Sequence, residues 1–434
     1  FPISVHNITS ARQSTHIHVS CSLSQMEAMK LVASNRFGEK RIGYLALMIL
    51  LDENQELLMM ATNSMKKDMT NKNPFIVGLA LCAIGNISSA DIARDLSRDV
   101  AGFFSNTNPY LRKKAALTAI RIIRKVPETV DEFVPLAPLL LNDRNHAVQL
   151  TGLQLMLELT KIHPECIPEY RVHVPKLVSQ LKTVWLSGYM SEYDVMGITD
   201  PFLQTAIIRM LRVLGEGDAA ASEHMNEILA QVVINTDASK VPGAAILYEC
   251  VQTIMSIEAE GGLRVLAINV LGKFLQSKDN NIRYVALNTL CKVVHRDADA
   301  IQRHRNTVVD CLKDVDISIR RRALNLIYAL VTKNNVRALV KELLNYLALT
   351  NGGAEFKSDL VDKICNVVER YAPSRVWHIV TMVQTLCIAG NVARDDVAVD
   401  LVALIARSKD LHAFAAHELF AQLNHVDHMT QQPL

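Results

Sequence analysis

Side chains able to bind a metal, attack a carbon or move a proton are plentiful in this chain but nowhere gathered. Fourteen histidines include two close pairs, His16/His18 and His425/His428, and neither has a cysteine or carboxylate cluster at metal-ligand spacing beside it. Eight cysteines stand alone at positions 21, 82, 166, 250, 291, 311, 365 and 387, with no C-x-x-C. That is the pattern of free thiols in a reducing cytosol, not of a disulfide framework. No Walker loop, G-x-G-x-x-G, G-x-S-x-G or H-E-x-x-H run occurs, so the usual phosphate cradles, nucleophile elbows and zinc-protease helices are missing. The expectation is a protein that is not an enzyme and holds neither cofactor nor metal. The remaining chemistry is recognition by charge. Arg112-Lys113-Lys114 with Arg121, Arg124 and Lys125, and separately Arg320-Arg321-Arg322, could meet a phosphorylated headgroup or an acidic partner. Lys113, Lys114, Arg121 and Arg124 are the candidate patch, and a solvated helix face is the competing and preferred reading. Across the whole chain 46 basic residues face 44 acidic ones, which gives no electrostatic case for nucleic acid.

The first of those clusters sits on one helix. Asn108 suits an N-cap and Pro109 the first helical position, where its missing N–H costs nothing. From Leu111 to Ile123 the apolar residues fill half of a 100°-per-residue wheel and the lysines and arginines fill the other half, with Leu117 the exception. Arg112 falls in the middle of the apolar arc, where a charge needs an acceptor. The same unit recurs as Asn73-Pro74-Phe75-Ile76, Asn145-His146-Ala147-Val148, Asp200-Pro201-Phe202-Leu203, Asp279-Asn280-Asn281-Ile282 and Asp316-Ile317-Ser318-Ile319, and adjacent copies lie 35, 37 and 37 residues apart. Two helices and two turns fill that length, as in HEAT or armadillo repeats. The fold class is all-α, an α-solenoid with a right-handed superhelix.

Helices are expected at 25–36 with 40–51, 53–69 with 74–87, 90–104 with 109–125, 128–141 with 146–162 and 165–186 with 201–214. They continue at 222–234 with 242–257, 261–276 with 280–295, 299–313 with 317–332, 335–348 with 356–371 and 374–389 with 395–407, ending at 410–424. An irregular insertion, Ser187–Thr199, interrupts them and serves either a partner or the adjoining helices. Residues 1–24 are read as a disordered, foreign segment, 25–424 as the trunk and 425–434 as a polar tail. The longest apolar run, Ile42–Leu51, is ten residues, too short to span a bilayer.

Two sets of residues stand out within the trunk. Arg112, Arg283 and Arg320 each follow the apolar anchor of a repeat, which predicts a ladder of arginines reaching Asp or carbonyl acceptors in a neighbouring repeat. Seven of the 15 methionines precede residue 70. Core filling is the preferred role of Met26 and Met29, whereas the 53–69 wheel turns Met60 away from Leu57, Leu58, Ala61 and Met65, toward a contact surface.

Several longer stretches resemble the large subunits of the heterotetrameric clathrin adaptor complexes, and among them gamma-adaptin. They are Ala33-Ser34-Asn35-Arg36-Phe37 with Lys40-Arg41-Ile42-Gly43-Tyr44-Leu45, Gly78-Leu79-Ala80-Leu81-Cys82, Tyr110 through Leu117, and Asp194 through Gln204. The resemblance runs from about Met26 to Leu423. It implies a coat subunit that assembles with beta, mu and sigma subunits, is recruited by GTP-bound Arf at the trans-Golgi network and endosomes, and meets clathrin only indirectly. It also places Met26, Met29 and Met60 at the family's Arf contact. In place of the family's first helices, with their lipid- and dileucine-binding residues, Phe1–Ser24 is unrelated. The second reading is a free HEAT/armadillo scaffold or transport receptor outside any coat.

Overall fold

The computed structural model describes residues 18–53, 56–187, 190–349 and 353–423. The tail expected at 425–434 and most of the segment expected at 1–24 lie outside them. The chain forms two compact units, residues 1–263 and 264–434, both built of paired helices.

In the first unit α1 (His18–Ala33) pairs with α2 (Phe37–Leu50), α3 (Glu56–Met69) with α4 (Pro74–Ile87), and α5 (Ala90–Gly102) with α6 (Pro109–Lys125). α7 (Val130–Phe133) and two short turns precede α8 (His146–Ile162); α9 (Ile167–Arg171) and α10 (Val174–Leu186) precede α11 (Pro201–Gly215); and α12 (Ala219–Asn235) pairs with α13 (Val241–Ser256). The second helices α2, α4, α6, α8, α11 and α13 stack in that order. α14 (Gly261–Phe274) starts at the boundary. The second unit continues with α15 (Asn280–Gln302), α16 (Arg305–Asp310), α17 (Ile317–Leu330), α18 (Val336–Leu349), α19 (Ala354–Tyr371), α20 (Arg375–Ala389), α21 (Asp395–Arg407) and α22 (His412–Leu423). The fold is an α-solenoid of HEAT/armadillo-like two-helix repeats.

One local device starts most second helices. Asn73, Asn108, Asn145, Asp279 and Asp316 each accept a backbone N–H two residues on. Two residues ahead of each cap, Asn71, Asn106, Asp143, Ser277 and Asp314 accept the cap's own N–H. Two side chains thus bend the chain into the helix and satisfy two of its early N–H groups.

Four expectations are corrected. Among the described residues helix is already present at His18, ahead of the start expected at residue 25. The single helices expected at 128–141 and 165–186 are broken, because Pro135 and Pro138 in one and Pro168 and Pro175 in the other remove backbone donors. The helix expected at 280–295 runs on across a kink at Asp297 (φ −130°, ψ 40°), and the one expected at 299–313 breaks after Gln302, with the short α16 following. The insertion is not wholly irregular: β1 (Asp194–Val195) and β2 (Ile198–Thr199) form an antiparallel hairpin. Its turn places Met196 (φ 55°) and Gly197 (φ 77°) in the left-handed region, as two-residue hairpin loops require.

Close packing explains part of the Arg41-Ile42-Gly43-Tyr44 run. A Cβ on Gly43 would lie 2.5 Å from the backbone nitrogen of Val32, so α1 and α2 approach at a point only glycine allows. Beside it Lys40, 5% exposed, donates to Asp68 and to the Val32 carbonyl, both at 2.6 Å, and the Tyr44 hydroxyl donates to Asp68 at 2.7 Å. This buried ion pair joins α1, α2 and α3.

Candidate functional site

α1 and α3 are the first helices of adjacent repeats and pack together. α3 buries Leu58, Ala61, Met65 and Met69 and turns Met59 (68% exposed) and Met60 (65%) to solvent. On α1, Met26 is 46% exposed and Met29 half-buried, while Ala28 and Val32 form the buried face. Met26 is therefore not core filling, because the inward arc of α1 is already occupied. Met59 joins the exposed set although the sequence reading left it unassigned. Met59 lies about 115° from the centre of the buried arc, a flanking position that the wheel alone does not assign. Unbranched thioether side chains exposed on neighbouring helices make an adaptable apolar contact surface.

The basic residues of α6 are largely occupied. Arg121 donates to Glu53 at 2.5 Å and to the Ser88 carbonyl at 3.2 Å, and Lys125 donates to Glu53 at 2.7 Å. The Lys125 hydrogen bond is the main cause that holds the Glu53 carboxyl below its usual range. Arg124 and Lys161 share Glu158 at 2.9 and 2.7 Å. Burial pushes the Glu158 carboxyl up, but those two cations outweigh it and the net shift is downward. Lys113 and Lys114 lie over the Tyr110 ring at 5.7 and 5.8 Å. Of the second cluster, Arg321 pairs with Glu355 at 2.7 Å and Arg322 sits over Tyr284 at 5.6 Å. Arg121, Arg124, Lys125 and Arg321 thus meet carboxylates, whereas the rings beside Lys113, Lys114 and Arg322 leave their charge in place; Glu53 is the partner the sequence reading missed.

Arg112 reaches Asp143 with Nε at 2.6 Å and Nη2 at 2.5 Å, and its Nη1 donates to the Asn106 carbonyl at 2.5 Å. Arg283 repeats this on Asp314, at 3.0 and 2.7 Å, with Nη1 on the Ser277 carbonyl at 2.7 Å. Each aspartate lies 31 residues beyond its arginine and each carbonyl 6 before it. Arg320 differs. Its guanidinium lies 5.3 Å from the centre of the Phe356 ring in the next repeat, and the residue 31 places on, Asn351, is outside the described residues. Gln149 and Gln204, at the same repeat position, donate to the carbonyls of Asp143 and Thr199 at 2.6 Å. A glutamine thus makes the carbonyl contact where no arginine is present.

The hairpin packs back on the helices. Tyr193 stacks on His146, ring centres 4.6 Å apart, while His146 Nδ1 lies 2.8 Å from an Asp200 oxygen and Asp200 caps α11 through the Leu203 N–H at 3.0 Å. Among the described residues no cluster of three metal-ligating side chains exists, and no helix is long and apolar enough to cross a membrane.

The model of the adaptin N terminal region family matches residues 13–433, so the match takes in α1 and begins ahead of the boundary expected at residue 25. AP-1 complex subunit gamma of Dictyostelium discoideum is 53% identical over 410 residues, which cover 94% of this chain and 45% of that protein. AP-1 complex subunit gamma-2 of Arabidopsis thaliana is 52% identical, covering 92% and 46%, and human AP-1 complex subunit gamma-like 2 is 44% identical, covering 94% and 52%. The chain spans about half the length of these curated relatives. A chain of the AP-3 complex in an intermediate open conformation matches with TM-score 0.67 at 20% identity, over 97% of this chain and 75% of that one. Yeast importin-beta matches with TM-score 0.55 at 12% identity, over 95% and 58%. At such identities both speak to the fold alone. The stacked two-helix repeats, the family match over residues 13–433 and the identities above 50% lead to one conclusion: the chain belongs to the adaptin family through its N-terminal region, on the side of the AP-1 gamma subunits.

Proposed function

We propose that the chain is the structural trunk of a gamma-type large subunit in a clathrin adaptor complex. In this reading it assembles with beta, mu and sigma subunits and is recruited by Arf-GTP to trans-Golgi and endosomal membranes. It associates with the membrane peripherally through the complex, reaches clathrin only indirectly, and carries no catalytic step. The family supports the large-subunit role, and the AP-1 gamma names of its relatives support the gamma assignment. The observation that carries Arf recruitment is the exposure of Met60 at 65% and Met26 at 46% on adjacent first helices. A folded monomer has no internal reason to hold methionines there.

The test is Met60→Asp in the chain co-expressed with beta, mu and sigma subunits. Fully burying a Met side chain is worth about 1.5–3 kcal/mol, so recruitment to liposomes carrying Arf-GTP should fall about tenfold or more. The melting temperature should stay unchanged, because the residue is outside the core. Unchanged recruitment would count against the Arf contact. A chain that stays monomeric beside sigma and beta subunits would overturn the coat assignment.

A further inference from the structure

In the second unit α18 and α20 pack side by side, as do α20 and α22. Between these first helices opens a cleft of about 650 Å³. Its apolar wall is made by Val340, Leu344, Trp377 and Ile388, and Asn345, Gln384 and Gln422 add amides. Arg337 and Lys341 stand one turn apart on α18, both exposed, and no carboxylate lines the cleft. Four arginines of this unit meet acids, Arg264 with Asp297, Arg283 with Asp314, Arg321 with Glu355, and Arg394 with Asp362 and Asp396, while Arg320 and Arg322 meet the Phe356 and Tyr284 rings. Among the described residues Arg337 and Lys341 have no such partner. Glu418, on α22, accepts from the Gln422 amide at 3.3 Å and is not among the residues that line the cleft.

We propose that this cleft docks an acidic amphipathic helical segment of a partner protein. Its apolar residues would lie against Trp377 and Ile388, and its carboxylates would meet Arg337 and Lys341. Charge complementarity selects an acidic occupant, and the apolar wall between helices selects one with an apolar face. The reachable apolar surface is Ile388, 40% exposed, and half-buried Trp377, while Val340 at 1% and Leu344 at 8% belong to the core behind them; set between helices, it admits a side chain and not a flat bilayer. This surface lies on residues the Arf reading does not use, so the two stand or fall separately.

The chain has two tryptophans, and Trp185→Phe leaves Trp377 as the sole indole reporter. The probe is a synthetic peptide of roughly 14 residues, with Leu at i, i+3, i+4 and i+7 and Asp or Glu elsewhere. Titration into the full chain should give a saturable shift of Trp377 emission. Arg337→Glu with Lys341→Glu should weaken binding about tenfold or more, whereas Arg337→Lys with Lys341→Arg should retain it. A lysine-for-acid version of the peptide should fail to bind. Absence of a saturable shift, or binding indifferent to the charge reversal, would overturn the proposal. So would a Trp377 response to anionic vesicles but not to the peptide, which would assign the surface to lipid.

Discussion

Arg112–Asp143 and Arg283–Asp314 amount to one experiment performed twice by the same chain. In both, two guanidinium nitrogens converge on one carboxylate oxygen within 3.0 Å, and the side chains are only 10–18% exposed. Opposite charges about 4 Å apart at an effective dielectric of about 20 attract by about 4 kcal/mol. Removing both from water offsets part of this, leaving about 1.5–3 kcal/mol, the range of hydrogen bonds to charged groups. The perturbation is a double-mutant cycle with Arg112→Met and Asp143→Asn. Asparagine keeps an acceptor for the Asn145 N–H, which Asp143 now holds at 2.8 Å, while losing the charge. We expect a coupling of about 2 kcal/mol. The cycle on Arg283→Met and Asp314→Asn should agree within about 0.5 kcal/mol. Urea unfolding supplies the energies. Hydrogen exchange at α6 and α15 checks that the loss is local, because long repeat arrays can unfold in parts. Couplings below about 0.5 kcal/mol in both copies would refute the ladder and make these arginines ordinary surface residues.

Gly43→Ala forces a Cβ to 2.5 Å from the Val32 nitrogen. It should cost about 1–3 kcal/mol, read as faster hydrogen exchange in α1 and α2; protection equal to wild type would refute the close approach. His304, hydrogen-bonded to Asn269 at 3.1 Å, has its pKa lowered first by burial and then by Arg303. The unfolded chain therefore takes up this proton at higher pH than the folded one. Stability from this group is present above about pH 6.5 and declines as the pH falls below it. His304→Gln should flatten the melting temperature against pH between about 7.5 and 5.5, and an unaltered slope would exclude a contribution from this ring.

Much of the fold was legible because its signals are local. Caps at Asn73, Asn108 and Asn145 fix α4, α6 and α8 within a few bonds of the residues that announce them, and those helices begin where the caps predict. Leu117, the misfit of the wheel, is 43% exposed. Apolar periodicity hid the breaks before α8 and α10, since it runs on through prolines that interrupt the backbone ladder. The hairpin was hidden for a different reason. Its support comes from His146 and Asp200, and the pairing of Tyr193 with a ring 47 positions earlier leaves no periodic trace. At the candidate surface, the wheel found Met60 because it opposes the core, and missed Met59 because a flanking position is decided by the neighbouring helix.

Glu53 lies in the turn between the first two repeats, yet its carboxylate is held by Arg121 and Lys125 of the third, 68 and 72 residues away. An array whose layers touch only their neighbours melts like a row of beads, each able to fray once the one outside it has gone. A tie that skips a layer changes that statistics, because opening the second repeat alone would strand the carboxylate or pull the third along. The first three repeats are therefore expected to open together more often than nearest-neighbour contacts alone would dictate. Such coupling keeps the helices that present Met26 and Met60 in fixed register.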